Sequence, residues 1–242
     1  MIAVEVERLS IGYGETAILE GLDFAVPDGD VFAILGGSGS GKSTLLRNLI
    51  GLDVPLAGRV LVDGAPPAQD LGPPRFGVLF QSGALLGSMT LAENVALPLR
   101  RWSGLDERAI DVVVRAKLRL VGLEGFENHL PAEISGGMKK RAGIARALAL
   151  DPSLLFLDEP SAGLDPVASV ELDELILTLN RSLGVTTVLV SHELSSIFAI
   201  ARECILIDSD ARGIIARGSP LELRDGSPDP RVRAFFNRQV VV

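Results

Sequence analysis

The sequence predicts an α/β fold with a largely parallel sheet and a helical lobe inserted into it. Three observations carry this. Apolar, β-branched runs alternate with stretches of helical periodicity, the pattern of helices wrapped around parallel strands. Apolar residues make up 47% of the 242, which excludes a disordered chain. It fits a sheet covered on both faces, a surface that docks on a membrane partner, or both. Finally, one apolar run leads through a glycine-rich loop into a helix, the order a phosphate cradle needs.

The elements follow in order. Residues 2–9 alternate apolar with charged side chains and are expected as a strand, with a turn at Tyr13-Gly14. Residues 31–35 form a short apolar strand before the glycine loop, and 42–50 a helix. Residues 60–62 and 77–80 are strand candidates, separated by Pro66, Pro67, Pro73 and Pro74. Between about 88 and 150 the pattern turns helical. Ile110, Val113, Val114, Leu118 and Val121 share one face of a helix over 106–121, and Ser135 precedes another that runs to about 150. Residues 154–157 are an apolar strand ending in Asp158-Glu159-Pro160. Leu172, Leu175, Ile176, Leu179 and Leu183 recur at helical spacing, and 185–190 form a β-branched strand ending at Ser191-His192. Two last strands are expected near 204–207 and 213–216, before a polar, proline-containing tail.

The formal net charge is −8, which argues against a chain that grips nucleic acid. Lysine is scarce: Lys42, Lys117, Lys139 and Lys140 are the four, against nineteen arginines. The lone Cys204 cannot close an intrachain disulfide and fits a reducing compartment. Residues 1–9 lack a signal-peptide pattern. Residues 76–92 carry no charge, but their glycines, serines and Gln81 make a poor membrane span. A membrane role therefore calls for a separate spanning partner.

Two motifs carry chemistry. Gly36-Gly37-Ser38-Gly39-Ser40-Gly41-Lys42-Ser43-Thr44 has the spacing G-x-x-x-x-G-K-[ST]. Its glycines let backbone N–H groups approach phosphate oxygens, and the helix that follows points its N-terminus at the anion. Lys42 supplies charge for the β and γ phosphates, and the Ser43 hydroxyl is a ligand for Mg²⁺. Asp158-Glu159 places two carboxylates at the end of a buried strand: Asp158 to hold Mg²⁺, Glu159 to polarise an attacking water. Taken alone, the acidic pair fits a polar turn equally well; the phosphate loop upstream favours the functional reading.

With these residues the chain resembles the ABC ATPase family over nearly its whole length. Ile134-Ser135-Gly136-Gly137-Met138 is similar to the ABC signature. Ser135 is suited to cap a helix whose N–H groups face an anion. The alternative is an ordinary capped helix with Lys139, Lys140 and Arg141 as its solvated face. The resemblance implies that Ser135, Gly136 and Gly137 reach the γ-phosphate held by a second copy, so that two copies sandwich two ATP molecules. It further implies that Gln81 senses Mg²⁺ and the membrane partner, that residues 161–165 are the D-loop, and that His192 contacts the γ-phosphate as a switch. Tyr13 is implied to stack on adenine. The expected ATP-binding residues are Tyr13, Gly36, Ser38, Gly39, Ser40, Gly41, Lys42, Ser43, Thr44 and Gln81, and the expected Mg²⁺ ligands are Ser43, Gln81 and Asp158. Glu159, His192 and Lys42 are the expected catalytic residues. The implied architecture is a P-loop NTPase core with a mostly parallel sheet, an antiparallel β subdomain and an inserted helical subdomain. It forms one domain over 1–242: core at about 1–87 and 151–217, helices at about 88–150, and a C-terminal extension at about 218–242. His129 matches no motif and is expected in a loop; Trp102 is expected as a packing or surface residue of the helical lobe.

One position departs from the family pattern. Met138 stands where the signature usually has glutamine, and it cannot donate a hydrogen bond, so contact with ATP there is expected to be weak or indirect. That methionine, the segments Phe80–Leu86, Ser88–Thr90, Glu93–Val95 and Pro98-Leu99, and the tail from Pro228 to Phe235 are similar to the branch of ABC ATPases serving Mce-type lipid transport. The resemblance implies phospholipid movement between Gram-negative membranes, driven from the cytoplasmic face of the inner membrane. The implied partners are a second copy, an integral membrane permease, an Mce-domain lipid-binding protein and a small STAS-type regulatory subunit. Leu85, Leu86 and Met89 are expected to help form the permease groove. The tail, with Phe235-Phe236 and three terminal valines, is expected on the neighbouring ATPase or a regulatory partner; a frayed end is the alternative. Two other functions fit the same cassette chemistry: transport of another solute, and a soluble scaffold such as one in iron–sulfur cluster assembly.

Overall fold

Every side chain of β3 (Val31–Gly36) is buried, and alternate residues enter opposite cores. Val31, Ala33 and Leu35 face one cluster, Phe32 and Ile34 the other, the two-residue period of a strand covered on both sides. The same split occurs in β6 (Leu154–Asp158), β7 (Thr186–Val190) and β8 (Glu203–Asp208). This double burial is why these runs are almost uninterruptedly apolar. The computed structural model describes residues 1–67 and 72–239.

The main sheet has six strands in the order β5-β6-β7-β3-β8-β9, with β5 at Phe76–Leu79 and β9 at Gly213–Gly218. All neighbours are parallel except β8 and β9. A second, antiparallel sheet packs β1 (Ile2–Tyr13) between β2 (Thr16–Pro27) and β4 (Ala57–Val62). Helix α1 (Lys42–Leu49) lies between the two sheets, burying Leu45, Leu46 and Leu49 among strand residues from both. The other face of the main sheet is covered by α2 (Leu91–Trp102), α3 (Glu107–Leu120), α4 (Gly136–Ala147), α5 (Pro166–Leu183) and α6 (Leu194–Ile200). A mostly parallel sheet, an antiparallel sheet and a run of helices between 91 and 147 are the expected fold.

Three expectations need correction. Strand β1 runs on to Tyr13 through register shifts near Arg8, whose φ of 44° interrupts the alternation. Strand β2 was not expected at all; Gly21, at φ 60°, breaks its period. The tail is neither frayed nor free. It folds into α7 (Pro220–Gly226) and α8 (Pro230–Phe236), and α8 buries Val232 and Phe236 in the chain's own core. Phe236 packs 5.9 Å from Phe198 on α6. The three terminal valines lie outside the described residues.

Close approach explains Gly77. A Cβ there would sit 2.3 Å from the Ala147 carbonyl oxygen, so only glycine lets β5 pass the end of α4. His129 lies in a loop as expected, and Trp102 ends α2 with the Arg101 guanidinium 4.2 Å from its ring centre.

Candidate active site

The parallel register brings four strand ends to one edge. Ile34 pairs with Val190, Val190 with Asp158, and Leu157 with Leu79. The residues just beyond these are the glycine loop after β3, Glu159 after β6, His192 after β7 and Gln81 after β5. Open parallel sheets bind ligands at this edge.

The glycine loop joins β3 to α1. Gly39 and Gly41 have φ of 78° and 94°, values that L side chains rarely adopt. At Gly36 a Cβ would meet Ser40 Oγ at 2.4 Å and the Ile207 carbonyl at 2.7 Å. Lys42 folds back over the loop, and its Nζ donates to the carbonyls of Gly36 (2.9 Å) and Gly37 (2.8 Å). Burial lowers its pKa, against the pull of Glu159 and Asp158. Ser38, Gly39 and Ser43 are exposed, while Ser40 Oγ is buried without a hydrogen-bond partner. Tyr13 is 64% exposed, and its hydroxyl lies 3.1 Å from Thr44 Oγ1. Tyr13 is thus tethered beside the loop while remaining largely exposed.

The acidic pair keeps one carboxylate oxygen of each residue without a partner. Burial, then the Glu159 carboxylate, raises the Asp158 pKa, opposed by Lys140 and Lys42. Asp158 Oδ1 and Glu159 Oε2 are buried with no partner. Orphaned carboxylate oxygens at the mouth of a phosphate loop fit a magnesium ion, which takes few protein ligands and completes its shell with phosphate and water. Among the described residues no cluster of three or more His, Cys, Asp or Glu side chains is assembled. Glu159 has φ of 46°, its N–H donates to Val190 O, and its Oε1 lies 2.8 Å from His192 Nδ1.

The structure therefore brings together Lys42, Asp158, Glu159 and His192, with Gln81 at the same edge. It does not bring the signature residues to this loop. Ser135 caps α4 by accepting from Met138 N, at 3.3 Å. Among the described residues, no hydrogen bond joins Ser135, Gly136 or Gly137 to residues 36–44; the two glycines face Leu164 and Ala168. The Met138 side chain packs on the core. Asp165 caps α5 by accepting from Val167 N and Ala168 N. Sequence reasoning missed Lys140. It is 6% exposed rather than solvated, and its Nζ donates to the carbonyls of Gln81 and Glu159. The scarcity of lysine was the available signal.

A glycine cradle on a strand–helix junction, with a buried acidic pair on the next strand but one, defines a phosphate-loop nucleoside triphosphatase. The chain belongs to the ABC transporter family, whose pattern matches residues 19–162, and it is an ATPase of that family. It is 42% identical to the intermembrane phospholipid transport system ATP-binding protein MlaF of Escherichia coli K12, over 97% of this chain and 88% of that one. It is 43% identical to the probable ribonucleotide transport ATP-binding protein mkl of Mycobacterium leprae, over 98% and 69% respectively. Among solved structures, cbiO1 of the cbiONQ ABC transporter complex from Clostridium perfringens superposes with a TM-score of 0.83 at 28% identity, covering 98% of this chain and 96% of that one. A dimeric, post-hydrolysis ATP-binding cassette bound to ADP and Pi gives 0.78 at 28%, covering 89% and 98%.

Proposed function

We propose that this ATPase drives phospholipid transport between the membranes of a Gram-negative bacterium from the cytoplasmic face of the inner membrane. It would work as one domain: a nucleotide-binding core at about 1–87 and 151–217, a helical subdomain at about 88–150 and a C-terminal extension beyond 217. The observation that carries the chemistry is the Glu159–His192 contact at 2.8 Å beside a lysine-bearing phosphate loop. In this reading Lys42 leaves its two loop carbonyls for the β and γ phosphates of ATP, and the backbone N–H groups of 38–44 take the remaining phosphate oxygens. Tyr13 covers the adenine. Ser43, Asp158 and Gln81 hold Mg²⁺, which when bound neutralises charge on the transferring phosphoryl group. Glu159 orients the attacking water, and His192 holds the Glu159 carboxylate and meets the γ-phosphate.

The exposed N-terminus of α4 supports a second copy as partner. Among the described residues, Ser135, Gly136 and Gly137 present N–H groups to no anion, and a second copy's triphosphate would supply one. No described helix is long and apolar enough to cross a membrane, so transport requires a permease. A cleft of ≈ 360 Å³, lined by Leu52, Phe76, Phe80, Pro98, Arg146 and Leu150 among others, opens beside the Gln81 loop and suits an apolar segment of such a partner. Its lining differs from the expected groove: Leu85 and Met89 are half-buried, and Leu86 is exposed at 46%. An Mce-domain lipid-binding protein and a small STAS-type subunit complete the proposed assembly. The net charge of −8 disfavours nucleic acid as a partner.

Support for the lipid comes from Met138 and from the likeness to MlaF. The likeness to mkl favours a second reading, a nucleotide-like cargo. Purification with the chain's permease from detergent-solubilised membranes, followed by mass spectrometry, separates them. Phospholipid retained and moved on ATP addition supports the first; ribonucleotide retained instead overturns it.

A further inference from the structure

One face of α4 clasps the Gln81 loop. Lys140, Gly143 and Arg146 follow each other at three-residue spacing and lie along one stripe of the helix. Arg146 donates to the carbonyls of Ala84 (2.7 Å) and Gly83 (3.0 Å). At Gly143 a Cβ would come within 2.5 Å of Leu79 Cδ1 and 3.3 Å of the Gly83 carbonyl, so the loop rests directly on the helix backbone. Lys140 donates to Gln81 O at 2.5 Å and also, at 2.9 Å, to Glu159 O. Among the described residues neither Lys140 nor Arg146 forms an ion pair with a carboxylate.

A buried ammonium hydrogen-bonded to two carbonyls, with the Asp158 and Glu159 carboxylates acting on it only through space, is costly to desolvate, and a leucine or methionine would fill the space at less cost. What the lysine adds is direction: charge-assisted bonds to two backbone oxygens on two different strand ends. Glu159 is the residue that most needs such a hold. Its φ is 46°, its N–H is fixed by Val190 O, and its carbonyl is fixed by Ala162 N and Lys140 Nζ. The side chain that meets His192 is thus aimed by a backbone that Lys140 grips.

We propose that Lys140 is a positioning residue for hydrolysis. It ties the loop after β5 to the backbone of Glu159, so that displacement of that loop is felt at the Glu159 carboxylate. This rests on the reading of Glu159 as the water-directing carboxylate. In this role Lys140 is not itself a ligand of phosphate or metal; it acts through the Gln81 loop and the backbone of Glu159.

The test compares Lys140→Met, Lys140→Arg and Glu159→Gln in the full chain, by steady-state ATP hydrolysis, binding of a fluorescent ATP analogue and thermal melting. Misplacing Glu159 in Lys140→Met should lower kcat about tenfold to a hundredfold. KM and analogue affinity should stay within about threefold, the pattern of a lost transition-state contact. Lys140→Arg, with two donors to share between the carbonyls, should recover most of the rate. Native kcat in Lys140→Met while Glu159→Gln is inactive would overturn the proposal. So would a loss that appears in affinity rather than kcat, or one that arginine does not rescue. If Lys140→Met does not fold, Lys140→Gln decides: its amide reaches one carbonyl, so an intermediate kcat supports the role and an unchanged kcat removes it. Native hydrolysis by Glu159→Gln would instead remove the underlying assignment of Glu159, a separate result.

Discussion

His192 Nδ1 and Glu159 Oε1 lie 2.8 Å apart, joining the ends of two neighbouring parallel strands. Glu159 Oε2 is left unpaired, so the carboxylate is held by one oxygen, and the other is the one proposed to direct a water. Glu159→Gln should leave ATP binding intact and lower turnover by about a hundredfold or more, and dimers should accumulate with Mg·ATP. His192→Ala should lower kcat with less change in affinity. Phosphate release and size-exclusion chromatography measure both. Hydrolysis at the native rate in Glu159→Gln would mean another group directs the water.

Lys42 spans the loop that it is proposed to open. Its two hydrogen bonds to Gly36 O and Gly37 O are available for exchange with phosphate oxygens. Lys42→Ala removes charge-assisted bonds of about 1.5–3 kcal/mol, about tenfold to a hundredfold in Kd for ATP. Titration with a fluorescent nucleotide gives the answer, and unchanged affinity would overturn the loop assignment.

Asp158 carries its own pH dependence. Burial first, and Glu159 second, raise its pKa above the usual carboxylate value. The protonated form therefore persists to higher pH than for a free aspartate and competes with Mg²⁺. The Mg²⁺ concentration needed for half-maximal hydrolysis should rise as pH falls through the raised pKa and level off above it. Excess EDTA should abolish turnover at neutral and higher pH, where it holds Mg²⁺ tightly. A Mg²⁺ requirement independent of pH across the acidic range would show that Asp158 is not a ligand.

The apolar cleft beside the Gln81 loop is separable from the chemistry. Leu52 lines it and is 54% exposed. Leu52→Asp should prevent co-purification with the permease while basal ATP hydrolysis continues, because a carboxylate in an apolar contact cannot be solvated. Leu86→Asp tests the neighbouring surface. If only Leu86→Asp weakens assembly, the partner sits outside the cleft.

Phe236 closes the core from the far end of the chain, against Phe198 and Phe235. Phe236→Ala should cost about 3 kcal/mol, a fall in Tm of roughly 6–12 °C for a chain of this size. A melting temperature within about a degree of native would mean the tail does not hold this position in solution.

The core and the chemical motifs were legible in the sequence because each is local. A strand buried on both faces writes itself as an apolar run, and the glycine loop needs its residues at fixed offsets. Strand β2 was hidden because a bulge and Gly21 break the alternation that marks a half-buried strand. The tail looked polar because α8 is only two turns long and buries just Val232, Ala234 and Phe236 among charged neighbours. Lys140 was hidden for a different reason. On α4 it sits between Lys139 and Arg141, and nothing in that basic run tells which cation turns inward to meet two carbonyls from other elements. Contacts between distant segments leave no periodic trace.

The left-handed backbone at Glu159 sets the molecule's interests against each other. A glutamate in that region costs about 1–2 kcal/mol that glycine would not, and the position also keeps a carboxylate oxygen out of water with nothing to bind. Ranked by thermostability alone, glutamate is a poor choice at 159, and any redesign guided only by folding energy would replace it. With the water-directing role proposed for it, the residue serves turnover, which makes this turn a point where improving the fold and preserving the enzyme pull in opposite directions.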